Sequence, residues 1–151
     1  MNINLKRIIF GLAIVVVAVV GGIFTNTGTE WYATLVKPSE WPPSFLFPVV
    51  WSTIYILSFV TLFLLADRGM PKSTIVLFAV NGILNIVWCL TFFALRQIFL
   101  GEVIIIVNLI AGFLLVAELK KRGDLYFYLM IIYPVWLGVA TALNTAVWIL
   151  N

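Results

Sequence analysis

Long runs of apolar residues, separated by short polar segments, are the main pattern along this chain. A membrane-spanning α-helix needs about 20 mostly apolar residues. Five runs meet this requirement, at residues 8–24, 46–66, 74–95, 98–119 and 125–150. The pattern therefore predicts an all-α membrane protein in which residues 1–151 form one bundle of five transmembrane helices.

The polar segments between the runs carry turn residues. Residues 67–72 and 120–124 combine charged residues with Gly, and the first of them also contains Pro. Only Arg96 and Gln97 separate the third and fourth runs, which predicts a tight antiparallel hairpin. The first run follows Lys6 and Arg7, as in a signal peptide, but it is longer than a usual signal-peptide core and no A-x-A site follows. We expect it to be a retained span.

Positive charges are unequally divided between the two sides of the predicted bundle. Alternating crossings place on the N-terminal side Lys6, Arg7, Arg68, Lys72, Lys120, Lys121 and Arg122. The opposite side receives only Lys37 and Arg96. Because cytoplasmic loops carry the excess of Lys and Arg, we expect a cytoplasmic N terminus and an external C terminus in a bacterial or archaeal cell membrane.

The composition excludes several classes of protein. Apolar residues make up 64% of the chain and charged residues 10%, against about 45–50% and 25% in soluble domains. This argues against a cytosolic enzyme, a disulfide scaffold or a disordered chain. The absence of His and the single Cys89 predict no metal site, no intramolecular disulfide and no His-ligated haem, and we expect no cofactor. The net charge of +3 is scattered, which does not indicate nucleic-acid binding.

Residues 25–44 form the only long connection, and it is rich in aromatic residues and proline. It contains Trp31, Tyr32, Trp41 and three prolines, which stiffen the backbone. Long loops in compact proteins are usually functional or disordered. Two interpretations remain open: the aromatic residues anchor the loop at the lipid headgroups, or the loop folds as a lid over the mouth of the bundle.

Polar and aromatic residues inside three of the runs share helical faces, since residues three or four positions apart lie together on a helix. The second run aligns Trp51, Tyr55, Ser58 and Leu62. The third aligns Asn81, Asn85, Trp88 and Phe92. The fifth aligns Trp136, Ala140, Leu143 and Val147, with Asn144 at the rim. Such faces usually point into a bundle, where a flat aromatic ligand can stack on them. The alternatives are interhelical hydrogen bonds for Asn81 and Asn85 and a lipid-facing position for Trp88.

Other positions favour packing roles. Gly138, Ala142 and Ala146 form a stripe of small residues on the fifth run, and the fourth aligns Gly101, Ile105, Asn108 and Gly112. These faces are expected to pack either within the bundle or between subunits. Glu102 lies one turn inside the fourth run, where we expect it to reach the interface or to pair with Arg96. Trp148 is expected to be an interfacial anchor.

Taken together, these residues resemble the TspO family, also called the tryptophan-rich sensory protein or translocator protein family. The resemblance covers nearly the whole chain. It is carried first by Trp31-Tyr32, Leu35, Lys37-Pro38, Trp41-Pro42-Pro43, Phe47, Val50-Trp51 and Tyr55. It continues in Asn81, Asn85, Trp88, Phe92-Phe93, Tyr133-Pro134, Trp136, Ala140-Thr141, Leu143-Asn144, Val147-Trp148 and Leu150-Asn151. Unlike animal members, the segment 143–150 lacks the Tyr and Arg of their cholesterol-recognition pattern.

The resemblance implies a five-helix bundle, often a homodimer, whose pocket opens toward the loop between spans one and two. Implied ligands are porphyrins such as protoporphyrin IX and haem, together with isoquinoline and benzodiazepine drugs. The implied ligand-binding residues are Trp31, Trp41, Trp51, Tyr55, Asn81, Asn85, Trp88, Trp136 and Ala140. In light-dependent degradation of protoporphyrin, reported for some bacterial members, Trp51 and Trp136 match the residues implicated in catalysis.

Three functions are consistent with these features. The first is a membrane receptor or sensor for tetrapyrroles, and it is the function we expect. The second is an enzyme that degrades protoporphyrin IX in light. The third is a transporter of porphyrin or lipid, although five spans do not divide into the two equal halves of many transporters.

Overall fold

The protein is a five-helix membrane bundle, seen in a computed structural model that describes residues 2–151. Its α-helices are α1 (Ile3–Thr27), α2 (Thr29–Thr34), α3 (Leu46–Leu65), α4 (Lys72–Cys89), α5 (Ile98–Lys120), α6 (Asp124–Met130) and α7 (Ile132–Leu150). A 3₁₀ turn at Ala66–Arg68 extends α3, and a π-helical turn at Leu90–Ala94 extends α4. With α6 and α7 nearly continuous, five helical segments are long and apolar enough to cross a membrane. The predicted fold class is confirmed.

Both boundaries of the first span differ from the sequence prediction by three residues or more. α1 begins at Ile3 instead of residue 8, because Asn2 caps it by accepting a hydrogen bond from the Asn4 amide at 3.1 Å. It also continues past residue 24 to Thr27. The basic residues before the apolar run therefore belong to the helix, and Arg7 forms an ion pair of 2.5 Å with Asp67 at the end of span two. Apolar runs mark the lipid-facing length of a helix, and the helix itself extends into the interface.

The five spans close into a ring. α1 packs against α3 and α4, α4 packs against α5, α5 packs against α6 and α7, and α6 and α7 return to α3. The core between them is built from large aliphatic side chains such as Ile105, Leu115 and Leu137. Many apolar residues on the outside of the ring are exposed, as expected of a surface that faces lipid instead of water.

The contact between α5 and α7 is close because α5 presents small and polar residues there. A Cβ atom on Gly112 would lie 3.2 Å from the Leu137 side chain, and Tyr133 donates a 3.1 Å hydrogen bond to Asn108. The predicted packing role of this face of α5 is confirmed. In the stripe of Gly138, Ala142 and Ala146, Ala142 is exposed and the other two are half-buried, and a Cβ atom on Gly138 would meet nothing within 4 Å. This stripe therefore makes no close helix contact at Gly138.

The predicted hairpin between spans three and four is present, and it begins with the π-helical turn at Leu90–Ala94. The π-helical turn closes with a 2.8 Å bond from the Leu95 amide to the Leu90 carbonyl. Arg96 then adopts a left-handed backbone conformation with φ 57°, and the Gln97 amide returns to the Thr91 carbonyl at 2.9 Å. This geometry starts α5 within two residues and brings the end of span three under the long loop.

Candidate functional site

A cavity of about 1040 Å³ lies between α1, α3, α4 and α7, beneath the loop that joins spans one and two. Aromatic residues dominate its wall. They are Tyr32, Trp41, Phe47, Trp51, Tyr55, Trp88, Phe92, Phe93 and Trp136. Ligand sites usually occupy about 300–1,000 Å³ and are largely apolar with a few polar groups. The cavity is therefore large enough for a rigid polycyclic ligand.

One wall is a row of nearly parallel rings that crosses from α3 to α4. Trp51 stacks on Tyr55 at 5.9 Å and 29°, and on Trp88 at 6.5 Å and 30°. Trp88 in turn stacks on Phe92 at 5.8 Å and 18°. Each helix supplies two rings four residues apart, a spacing that places them on one face. The row offers an extended aromatic surface to a flat molecule.

The opposite wall comes from α7. Trp136 packs edge-on against Phe47, with ring centroids 5.8 Å apart at 71°, and Ala140 lies one turn further along the helix. The Trp136 Nε1–H group is buried and has no hydrogen-bond acceptor among residues 2–151. A buried donor without a partner is unfavourable by about 1–3 kcal/mol.

A buried polar network stands behind the row of rings. Asn144 donates from Nδ2 to Glu102 Oε2 at 2.9 Å, and Thr145 donates to Glu102 Oε1 at 2.7 Å. The oxygen of Asn144 accepts a longer bond of 3.4 Å from Trp88 Nε1. Glu102 is only 5% exposed, so the expectation that it reaches the interface or pairs with Arg96 is wrong. It orients Asn144, which lines the cavity.

The loop forms the cover of the cavity. Its short helix α2 places Tyr32 against Phe92 and Phe93, with centroids 6.1 Å and 5.5 Å away, and Tyr32 also approaches Trp41 at 6.4 Å. α2 begins next to Gly28, where a Cβ atom would come within 2.7 Å of the Phe93 carbonyl carbon. The lid interpretation of the loop is supported by this geometry, because loop aromatic residues line the cavity.

The side chains of Asn151 and Lys37 make the polar contacts that hold the loop in place. Past the end of α7, the Asn151 side chain bonds both backbone groups of Val36, at 3.0 and 3.1 Å. Lys37 Nζ donates to the carbonyl oxygens of Tyr32 and Leu35 and lies 4.5 Å from the Tyr32 ring centroid. Burial raises the pKa of Tyr32 to about 12 and lowers the pKa of Lys37. Tyr32 is therefore a neutral phenol near pH 7.

Seven of the nine residues that the sequence suggested for ligand binding line this cavity. They are Trp41, Trp51, Tyr55, Asn85, Trp88, Trp136 and Ala140. The other two do not line it. Trp31 packs edge-on against Phe92 at 5.6 Å, and Asn81 lies one turn deeper than Asn85, where it donates to the Leu77 carbonyl and, across to α5, to the Ala111 carbonyl.

Sequence reasoning gave no binding role to several residues at the site. Lys37, Phe93 and Cys89 also line the cavity, while Asn151 fastens the loop from outside it. Phe92 and Asn144 were placed on the correct faces without a role. The sequence signal for Lys37 and Asn151 was only their membership in the recurring motifs, since neither lies on a patterned helix face.

These features define a class: an integral, multi-pass membrane protein with an aromatic cavity under an extramembrane loop. The chain belongs to the TspO/MBR family, whose sequence profile matches residues 10–149. It is 33% identical to the tryptophan-rich protein TspO of Chlorobaculum tepidum, with 87% of this chain and 86% of that protein covered. It is 32% identical to the TspO of Archaeoglobus fulgidus over 100% and 99% of the two chains. It is 30% identical to the human translocator protein over 85% and 80%.

Proposed function

We propose that this protein is a membrane receptor or sensor that binds a tetrapyrrole, a porphyrin or haem, in the aromatic cavity. The observation that carries the proposal is the row of Tyr55, Trp51, Trp88 and Phe92, whose successive rings stand 18–30° from parallel. A planar macrocycle is the kind of ligand that makes use of such a surface. Aromatic pairs contribute about 0.5–1.5 kcal/mol each beyond the burial of their area.

The polar groups of the cavity complement the edge of such a ligand. Lys37 lies in the lining at the loop, and the amides of Asn85 and Asn144 lie in the wall. A propionate group of a porphyrin is an acceptor that suits the ammonium group of Lys37. Since the chain has no His, a haem bound here is held by ring contacts and not by a His–iron bond.

The proposed ligand contacts are Trp41, Trp51, Tyr55, Asn85, Trp88, Trp136 and Ala140. Trp31 contributes by supporting Phe92, and Asn81 by joining α4 to α5. Isoquinoline and benzodiazepine drugs are proposed to occupy the same cavity. If they do, each should displace protoporphyrin IX with a simple competitive dependence on concentration.

Fluorescence titration tests this proposal. Protoporphyrin IX added to the purified protein should quench tryptophan fluorescence saturably, and the double variant Trp51→Ala plus Trp136→Ala should lose saturation. The matched control is Trp148→Phe, which removes an exposed indole that packs on Phe99 outside the cavity. The proposal would be refuted by saturable quenching in the double variant, or by the absence of saturable quenching in the unaltered protein.

Light-dependent degradation of protoporphyrin is a second candidate function, favoured by the position of Trp51. Its ring lies between Tyr55 and Trp88, and Trp136 shares the same cavity, so indoles border any macrocycle bound there. Under illumination in air, loss of the porphyrin Soret band should be faster with the protein than without it. In the Trp51→Phe variant, the rate of Soret-band loss should fall to the rate measured without protein. If the variant bleaches porphyrin as fast as the unaltered protein does, enzymatic degradation through Trp51 is refuted.

We also propose a homodimer in a bacterial or archaeal cell membrane, with the N terminus in the cytoplasm. The seven-to-two division of Lys and Arg supports this orientation. An impermeant thiol reagent should label a Cys placed at exposed Ser39 from outside intact cells, and a Cys at exposed Lys72 only after lysis. Transport is tested separately by porphyrin flux into proteoliposomes.

A further inference from the structure

A second cavity, of about 460 Å³, lies between α1, α3 and α4 and forms a groove in the outer surface of the bundle. Its two edges consist of exposed apolar residues on neighbouring helices. They are Ile9, Ala13 and Val16 on α1, and Ile75, Ala79 and Ile83 on α4. Since a helix rises 1.5 Å per residue, the edge on α4 is about 12 Å long, most of one leaflet of a hydrocarbon core about 30 Å thick.

The groove is open to lipid and carries no charge. Across residues 2–151, no charged side chain lines it. Atoms that line an unfilled gap lose their dispersion contacts, so a hydrocarbon chain from the surrounding lipid is favoured there. Lipid tails are as apolar as leucine, so the groove itself does not distinguish one tail from another. The choice among lipids therefore depends on what lies at the end of the groove.

Each edge of the groove leads to a lysine on the N-terminal side of the membrane. Lys6 comes three residues before Ile9, and Lys72 comes three residues before Ile75. Residues three or four positions apart share a helical face, so each lysine continues its own edge. Lys72 is exposed and Lys6 is half-buried.

The two lysines lie at the same level of the bundle. A Cβ atom on Gly82 would lie 3.0 Å from the Val17 side chain, and a Cβ atom on Gly28 would meet the Phe93 backbone. In both pairs the residue of span three is 65 positions further along the chain, so spans one and three run side by side in one direction. The same offset places Lys6 level with the first turn of α4.

Neither lysine has an acidic partner. In the part of the chain that the structure describes, the basic residues that form ion pairs are Arg7, Lys120, Lys121 and Arg122. Lys6 and Lys72 are not among them. An uncharged groove thus ends at two positive charges that no carboxylate of the described chain balances.

We propose that this groove binds one acyl chain of an anionic phospholipid, whose phosphate pairs with Lys6 and Lys72. A basic residue near the membrane surface favours an anionic lipid about fivefold. A zwitterionic lipid brings its own positive group to the same place and gains less. The site lies outside the cavity under the loop, so it does not depend on tetrapyrrole binding.

Photolabelling in vesicles tests this proposal. The protein is reconstituted in phosphatidylcholine vesicles with a small fraction of phosphatidic acid that carries a diazirine in one acyl chain, and labelled peptides are mapped by mass spectrometry. Peptides from the groove-lining parts of α1 and α4 should be labelled about 3- to 10-fold more than by phosphatidylcholine with the same chain. Equal labelling by the two lipids would overturn the proposal. So would competition by inorganic phosphate, which has the charge but no chain.

Two double variants separate this pair of lysines from the general surface charge. Lys6→Gln plus Lys72→Gln should remove the preference for phosphatidic acid. Lys120→Gln plus Lys121→Gln removes as much positive charge at the end of α5, away from the groove, and should keep the preference. A similar loss in both double variants would indicate general attraction to the surface and would refute the site.

A second pair of variants tests the groove itself. Ala13→Phe places a ring at its edge and should lower the labelling of groove peptides by both lipids, whereas Leu12→Phe, at an exposed position outside the lining, should not. Circular dichroism verifies that each variant is folded. A second copy of the chain is the competing occupant. If groove peptides of the unaltered protein escape labelling and Ala13→Phe dissociates a dimer in detergent, the groove is a subunit contact and the proposal is wrong.

Discussion

Asn151 and Val36 are joined by two hydrogen bonds although 115 positions separate them. The Val36 amide donates to Asn151 Oδ1 at 3.0 Å, and Asn151 Nδ2 donates to the Val36 carbonyl at 3.1 Å. A side-chain amide here pairs with a backbone segment much as a neighbouring strand would. The end of the fifth span thereby fixes the loop that covers the aromatic cavity.

Asn151→Ala should loosen this loop. Loss of two neutral hydrogen bonds, each contributing about 0.5–1.5 kcal/mol, is expected to speed amide hydrogen exchange at Val36 at least about fivefold. Hydrogen-exchange mass spectrometry of the loop peptides measures the change. Ser39→Ala, at an exposed loop position, is the control and should exchange like the unaltered protein. Equal exchange in Asn151→Ala would show that the loop is held by its other contacts.

Glu102→Leu should destabilise the bundle and disturb the cavity wall. The substitution removes one of the two acceptors of Thr145, which keeps the Thr141 carbonyl at 2.9 Å. It also removes the better acceptor of Asn144, which keeps a 3.5 Å bond to the Ile98 carbonyl. We expect the free energy of unfolding to fall by about 1–3 kcal/mol. Thermal unfolding in detergent reports this loss. Glu40→Gln, at an exposed loop position, should unfold like the original chain, and a Glu102→Leu variant of full stability would contradict the network's structural role.

Gly28→Ala should displace the lid from the end of span three. The added methyl group meets the Phe93 backbone, which cannot move aside like a flexible side chain, and overpacking typically costs about 1–3 kcal/mol. A lower unfolding temperature together with faster exchange in α2 is the expected result. Gly138→Ala has open space and should be neutral or slightly stabilising. If both alanine variants behave alike, the close approach at Gly28 is not important.

High pH should weaken the packing of the loop on the end of span three, because Tyr32 then loses its proton. Burial raises the pKa of its phenol from 10.0 to about 12, so the folded protein favours the neutral form. This contribution to stability is complete below pH 10 and is lost as the pH rises from 10 to about 12. The difference in tyrosinate absorbance between the unaltered protein and Tyr32→Phe should show a single transition near pH 12. A transition at pH 10 would indicate a solvated Tyr32.

Helical periodicity predicted the cavity wall well because it fixes the direction in which a side chain points around its helix. Periodicity placed Trp51 and Tyr55 on one face, and Trp88 and Phe92 on another, and both pairs stack in the structure. Periodicity does not give depth along the helix. Asn81 shares a face with Asn85, yet one turn of separation places it outside the upper cavity and beside α5.

Contacts between distant segments were beyond the reach of the sequence. The partner of Glu102 was expected to be its sequence neighbour Arg96, whereas the two donors come from α7. Which helices adjoin depends on the closed order of the ring, and apolar patterns do not specify it. The link between Asn151 and Val36 has the same origin, because it requires the end of span five to lie beneath the loop after span one.

The π-helical turn at Leu90–Ala94 determines how many aromatic rings meet the loop. A π-helix accommodates one more residue in its turn than an α-helix does. That wider turn lets two consecutive residues, Phe92 and Phe93, both contact Tyr32. Deleting one residue here would restore regular α-helical spacing and rotate one ring away from Tyr32. The length of this segment, more than its composition, therefore determines how the loop packs on the end of span three.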